Sequence, residues 1–422
     1  MKVGVISLGC AKNLVDTEVL LGKLKAGGAR LVNDPKKADV IVINTCGFIE
    51  PAKLEAIETI LEFSQRKKVI VMGCLVQRYK EELQREIPKV MAYFGTESWD
   101  EIVEFLGLRQ DREAKRIITT PRSYAYLKIA EGCNRLCSFC AIPLIRGRHR
   151  SKPIEDLVKE AQYLAQEGIK EICIVSQDTT YYGKDLYGKA YLYKLLEELE
   201  RIEGIRWIRL LYLYPTEIEN SLLDYMASSE KVLPYFDLPI QHISTPVLKS
   251  MRRGYDEAFL RGLIDRIKER LPEAILRTTF IVGYPTETIE DFEKLLSFVS
   301  EGHFHWVGAF TYYREEGTHA YPLEDPIEEE GKKRRRDEVL KLQSKISTAK
   351  NKEFVGKELE LLVDGFDQEF GYVPVGRIYA QAPEVDGITY IETERKLKAG
   401  DVIRVRINQV GDYDIGAIDC GE

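Results

Sequence analysis

Residues 133–140 read CNRLCSFC, so Cys133, Cys137 and Cys140 fall in a C-x-x-x-C-x-x-C spacing. Three thiolates in so short a loop suit an iron-sulfur cube, in which they hold three irons and leave the fourth open to another ligand. Zinc is the rival, but structural zinc sites take four ligands, commonly as paired C-x-x-C segments. Neither a second pair nor a His-x3-His segment completes this one. A chance grouping of core cysteines fits less well, because Asn134, Arg135 and Ser138 make the loop polar. Cys10, Cys46 and Cys74 form a second, dispersed set. Taken singly, each reads as a buried strand-end cysteine; brought together, they have the donors for a second cluster, again with an open iron.

Whether they meet depends on the elements that carry them. KVGVIS (2–7), DVIVINT (39–45) and KVIVMG (68–73) read as strands, each ending at or just before a cysteine. Between them, NLVDTEVLLGKLKAGG and EPAKLEAIETILEFSQRKK carry apolar residues at helical spacing. This alternation predicts an α/β domain with a parallel sheet, in which functional groups gather at the carboxyl ends of the strands. Cys10, Cys46 and Cys74 are therefore expected at one sheet edge.

A charged connector, RQDREAKRIITTPRS (109–123), precedes six further strand candidates: 125–131, 171–177, 207–215, 235–242, 275–285 and 307–314. Helical patterns such as PIEDLVKEAQYLAQEG lie between them. The series predicts a partial (β/α)6 barrel with its site at the carboxyl ends of the strands, by analogy with the full eight-fold barrel. The first strand runs directly into Cys133. After a charged helical stretch (about 327–353), the runs LELLVDGF, GYVPVGRI, GITYIET, DVIRVRINQV and IGAIDC predict a small antiparallel β-barrel.

A chain of 422 residues suggests two to four domains, and 44% hydrophobic with 31% charged residues is the balance of a soluble globular protein. The opening MKVGVISLGC places small residues before a cysteine, as a lipoprotein signal does, but only seven residues lie between its lysine and that cysteine, too few for an apolar signal core. No run approaches the roughly 20 apolar residues that span a bilayer. A cytoplasmic protein with no membrane partner is expected, where thiols stay reduced and cysteines serve as ligands or core. Cys173 reads as core and Cys420 as structural or incidental. The five histidines make no zincin spacing, and no phosphate-binding P-loop or hydrolytic triad is present. KKRRR (332–336) has two readings, an RNA contact or the commoner solvated helix face.

With Phe139 just before the last cysteine, the 133–140 spacing resembles the signature of the radical S-adenosylmethionine (SAM) superfamily. The resemblance implies that the open iron binds the amino and carboxylate groups of SAM. It further implies that Gly283 in GYPTET (283–288) lies against the adenine and that Phe139, together with Gln177 in VSQDTTYYG, makes further contacts to SAM. End to end, the chain resembles the methylthiotransferases, which have an N-terminal three-cysteine domain, a radical SAM core and a small C-terminal TRAM barrel; the corresponding ranges are 1–115, 123–353 and 354–422. LGCAKNLVDTE (8–18), NTCGFIEPAK (44–53), SQDTTYYGKDL (176–186) and YFDLPIQHIS (235–244) are similar to the RimO branch. That branch adds a methylthio group to an aspartate β-carbon in small-subunit ribosomal protein twelve, free or in the assembled subunit.

The resemblance implies two 4Fe-4S clusters, SAM and an electron donor. One cluster, on Cys133, Cys137 and Cys140, would cleave SAM to a 5′-deoxyadenosyl radical; the other, on Cys10, Cys46 and Cys74, would present sulfur. Such chemistry suits the target, since an aspartate β-carbon has no proton that a side-chain base readily removes. Residues 354–422 hold 7 Lys or Arg against 14 Asp or Glu, a net of −7. Phosphate-binding surfaces are basic, so this barrel favours a basic protein substrate over tRNA, although surface charge can also serve solubility alone. The alternatives are a tRNA methylthiotransferase and a non-catalytic iron-sulfur carrier.

Overall fold

Residues 40–43 and 69–72 are unbroken apolar runs because both faces of their sheet are covered. In the computed structural model, which describes residues 1–369 and 371–421, five parallel strands lie in the order Arg30–Leu31, Lys2–Ser7, Val40–Thr45, Lys68–Gly73, Ala92–Phe94. Ile41, Ile43, Val69 and Val71 pack against Ala56, Ile60, Leu75 and Val76 of helices Glu50–Ser64 and Cys74–Glu86. Their neighbours Val40, Val42, Ile70 and Met72 point the other way, onto Leu20 and Leu24 of helix Ala11–Ala26 and Ile102 and Val103 of Trp99–Phe105. The strands Arg30–Leu31 and Ala92–Phe94 lie at the two edges and are too short to leave a periodic signal.

By compactness the chain divides into two units. The first joins this sheet (Met1–Thr119) with Glu131–His149 and Tyr313–Tyr321; the second comprises Thr120–Ala130, Arg150–Tyr312 and Pro322–Glu422. The cysteine loop thus belongs, by compactness, with the N-terminal sheet, although the strand leading into it lies in the other unit.

In the second unit all six expected core strands form, as Tyr124–Lys128, Glu171–Val175, Trp207–Leu210, Tyr235–Gln241, Ile275–Val282 and Trp306–Thr311. They pair in parallel as two three-stranded sheets, and the Leu213 amide donates to the Asp237 carbonyl at 2.9 Å between them. The strand expected over 207–215 ends at Leu210, because the chain turns at Tyr212 (φ +61°) and Pro215 opens a 3-10 turn.

The C-terminal runs close into a five-stranded barrel. Four of its pairings are antiparallel, as expected, but Thr389–Glu392 and Ile415–Asp419 pair in parallel. The barrel meets the amino ends of the core strands. Arg209 donates to the Tyr379 carbonyl at 2.8 Å, Trp306 Nε1 to the Ala380 carbonyl at 2.7 Å, and the Tyr124 hydroxyl to Glu384 at 2.9 Å. This is the end of the strands opposite to the one at which barrel active sites form. In helix Glu329–Lys352, the solvated-face reading of KKRRR suits Lys333, which pairs with Glu330, and Arg336, which pairs with Asp337. Lys332 instead turns inward to Asp325 and Glu329, and Arg335 to Glu287.

Candidate functional site

The three N-terminal cysteines sit where parallel register makes the strands end level: Ser7 lies opposite Asn44, and Thr45 opposite Gly73. Cys10 caps helix Ala11–Ala26 and Cys74 begins helix Cys74–Glu86. Two glycines allow the close approach. Gly9 has φ +97°, and a Cβ there would stand 2.9 Å from Cys46 Cβ; at Gly47 it would stand 2.7 Å from the Leu75 Cα, beside Cys74. Cys10, Cys46 and Cys74 are exposed, half-buried and buried in turn. Burial pushes the Cys74 thiol up to about 12 against the pull of Arg146, and burial first, then Cys10, pushes Cys46 up. Metal binding at such thiols releases their protons.

The polar residues of LGCAKNLVDTE serve this edge from inside. Asn13, Asp16, Thr17 and Glu18 are all buried in the first helix. Asn13 Nδ2 donates to the carbonyls of Leu8 (3.0 Å) and Thr45 (3.1 Å), which flank Cys10 and Cys46. Asn44 returns a bond to the Asn13 carbonyl at 2.9 Å. Glu18 accepts from the Thr119 amide at 2.7 Å and pairs with Arg116 at 3.3 Å, tying the charged connector to the helix.

The loop of Cys133, Cys137 and Cys140 lies in the same unit. Cys133 and Cys137 are buried and Cys140 is half-buried. The loop is closed by the Cys133 amide on the Gly147 carbonyl (3.1 Å) and the Cys140 amide on the Cys137 carbonyl (3.1 Å). The Arg135 amide points at Cys133 Sγ, 3.4 Å away. Among the described residues no three His, Cys, Asp or Glu side chains are gathered as for a single metal ion; thiolates that each hold a different iron of a cube stand further apart than ligands sharing one ion.

Arg146, in the short helix that follows this loop, links the two sets. Its Nε and Nη2 donate to Cys74 Sγ at 3.3 and 3.1 Å, and its Nη1 to Asp16 (2.8 Å) and Glu131 (3.0 Å), while Nη2 also reaches Asn13 Oδ1. Burial works against its charge, but Asp16, Cys74 and Glu131 outweigh it and hold its proton more tightly than usual. A third segment, Tyr313–Tyr321, spans both sets. Buried Glu315 accepts from Lys53 (3.0 Å) and Arg78 (2.9 Å), Arg78 also donates to the Gly47 carbonyl (3.0 Å), and the Ala320 amide donates to the Ser138 carbonyl (2.7 Å).

Sequence reasoning missed Arg146, Asp16, Glu131 and Glu315. The density of charged residues in IPLIRGRHR and YREEG hinted at Arg146 and Glu315, while Asp16 lay in LGCAKNLVDTE and Glu131 at the end of the first core-strand run. Of the expected SAM contacts, Phe139 lies half-buried in the cysteine loop. Gln177 and Gly283 lie in the second unit, just past the ends of Glu171–Val175 and Ile275–Val282. The Gly283 amide donates to Glu287 at 2.9 Å. Cys173 is fully buried in its strand and Cys420 is exposed.

Family models match three stretches: Uncharacterized protein family UPF0004 over residues 2–95, the Radical SAM superfamily over 127–299 and the TRAM domain over 355–418. Among solved structures, the radical SAM methyltransferase TsrM of Kitasatospora setae aligns over 73% of this chain and 72% of its own, with TM-score 0.56 and 14% identity, a likeness of fold. Curated relatives described as ribosomal protein uS12 methylthiotransferase RimO are much nearer in sequence. That of Aquifex aeolicus is 66% identical over 99% of this chain and 97% of its own. That of a Sulfurihydrogenibium species is 50% identical over 98% of each, and that of Flavobacterium johnsoniae 46% identical over 98% and 97%. With identity of this extent over nearly the full length of both partners, the chain belongs to the ribosomal protein uS12 methylthiotransferase RimO family.

Proposed function

We propose that the protein is a radical SAM methylthiotransferase that adds a methylthio group to the β-carbon of an aspartate in ribosomal protein uS12, using two 4Fe-4S clusters. The observation that carries this reading is the presence of both three-cysteine sets in one compact unit, bridged by Arg146 between Cys74 and Glu131. Cys133, Cys137 and Cys140 hold the cluster that works with SAM, and Cys10, Cys46 and Cys74 hold the cluster at which sulfur is presented. Phe139, Gln177 and Gly283 are assigned as SAM contacts. The donor chemistry fits: each set supplies three thiol groups, and three thiolates leave one iron of a cube open.

When bound, the first cluster and SAM together supply a carbon-centred radical able to remove an unactivated hydrogen. The chain's own residues do the rest by holding and shielding. The Cys133 and Arg135 amides and the Ser138 carbonyl fix the loop, and Arg146 anchors it to the sulfur-presenting set.

We assign domains to 1–115, 123–353 and 354–422; each matched family segment falls within one of these ranges. An electron donor is required, and a cytoplasmic setting suits both uS12 and free thiols. No described helix is long and apolar enough to cross a membrane. The acidic C-terminal barrel supports a protein substrate over tRNA, though part of its charge is spent internally. Asp386 pairs with Arg277, Asp364 with Arg377 and Glu360 with Arg206. Exposed Glu369, Glu392, Glu394 and Asp412 remain.

Mass spectrometry after reaction with uS12 and with tRNA in parallel tests the proposal. A methylthio group on a uS12 aspartate is expected. The same mark on tRNA instead would overturn the substrate, and failure to cleave SAM would leave an iron-sulfur carrier.

A further inference from the structure

The sulfur-presenting set carries a residue that the cluster chemistry alone does not require. Arg146 is buried and gives two N–H groups to one sulfur, that of Cys74, at 3.3 and 3.1 Å. The same guanidinium is fixed by Asp16 at 2.8 Å, Glu131 at 3.0 Å and Asn13, so its direction is set from three sides. Neighbouring Arg148 and Arg150 are exposed; Arg146 alone of the three turns inward.

Resting on the assignment of Cys10, Cys46 and Cys74 as cluster ligands, we infer that Arg146 is a positioning residue that acts through Cys74 to raise the reduction potential of the sulfur-presenting cluster. Hydrogen bonds to ligand sulfurs and nearby charge are among the protein's levers on such potentials. Reduction adds negative charge to the cluster, and N–H groups of a cation aimed at a sulfur stabilise that state more than the oxidised one. Asp16 and Glu131, two carboxylates to one cation, more than offset the charge of the guanidinium, so the directed N–H···S pair is the part of the arrangement that favours the reduced state. Arg146 also comes from the segment that carries the other three cysteines, so the second set acquires this contact only when the 133–146 segment is in place.

The test uses the full-length chain with Cys133, Cys137 and Cys140 all replaced by Ala, so that one cluster remains, and compares Arg146, Arg146→Lys and Arg146→Gln in that background by redox titration monitored by electron paramagnetic resonance. Lysine keeps the charge beside Asp16 and Glu131 and loses the two-pronged contact, which covers the case in which Arg146→Gln does not fold. The expected result is about four irons in the parent and a lower potential in Arg146→Lys. The reduced-to-oxidised ratio at a fixed potential should fall about tenfold, equivalent to roughly 59 mV for a one-electron couple. Unchanged potentials in iron-loaded variants would overturn the inference, as would loss of iron from both variants, which would give Arg146 a role in assembly instead. A parent with no iron would instead overturn the ligand assignment beneath it.

Discussion

Arg377 of the C-terminal barrel donates to Glu171 at the start of a core strand at 2.5 Å, with the two side chains 2% and 0% exposed. Glu171 also accepts from Arg209 at 2.6 Å, and Arg377 also reaches Asp364 at 2.7 Å. The barrel is therefore held to the radical SAM core by a buried ionic clamp, and exchanging it for a foreign barrel would break that clamp as well as change the surface.

Glu171→Gln should destabilise the protein by about 3–5 kcal/mol, the usual cost of removing one partner from a buried ion pair, as read by chemical denaturation. The effect should depend on pH. Burial opposes the charge on Glu171, but Arg209 and Arg377 outweigh it and hold its carboxyl below the usual range. A lowered folded value contributes stability above the unfolded pKa of about 4.3 and loses it as pH falls through the folded value. Below about pH 4 the wild type should lose stability more steeply than Glu171→Gln; parallel profiles would refute the clamp's electrostatic role.

Iron content tests the two cysteine sets. Reconstituted protein should hold about eight irons and Cys46→Ala about four. Gly47→Ala should also lose the second cluster, since its methyl group would meet the Leu75 backbone at 2.7 Å. Cys137→Ala should abolish 5′-deoxyadenosine production. Four irons in the wild type, unchanged by Cys46→Ala, would remove the second cluster.

Glu315, 2% exposed, pairs one carboxylate with both Lys53 and Arg78. Glu315→Ala should cost about 3–5 kcal/mol through the two stranded cations and should speed proteolysis within Tyr313–Tyr321. A cleavage rate equal to that of the wild type would show that this segment is held by other contacts.

If barrel charge guides uS12, reversing exposed Glu369, Glu392 and Glu394 to Lys should slow its association, most visibly at low salt, where screening is weak. These positions lie outside the ionic clamp, so the fold should persist. Association rates that do not respond in surface plasmon resonance would dismiss the charge argument.

The loop 133–140 was legible because its chemistry is local: three cysteines within eight positions need no folding model. The six core strands were legible because buried parallel strands are predominantly apolar, although Lys128, Glu171, Arg209 and Asp237 are buried within them. The second cysteine set was legible at one remove, through strands that all end beside a cysteine. The short edge strands and the parallel pairing in the small barrel were not, because two to four residues carry no periodicity and pairing direction leaves none.

The residues joining these parts were beyond the reach of sequence alone. Arg146, Arg148 and Arg150 look alike in IPLIRGRHR, and only the packed structure turns Arg146 onto Cys74. Glu171 and Arg377 lie 206 positions apart, and nothing at either one names the other. Spacing along the chain specifies which chemistry is available, because ligand geometry within a short loop is covalently constrained. Which charges neutralise one another across long separations is decided by tertiary packing, because a buried charge must find whichever partner the fold brings to it.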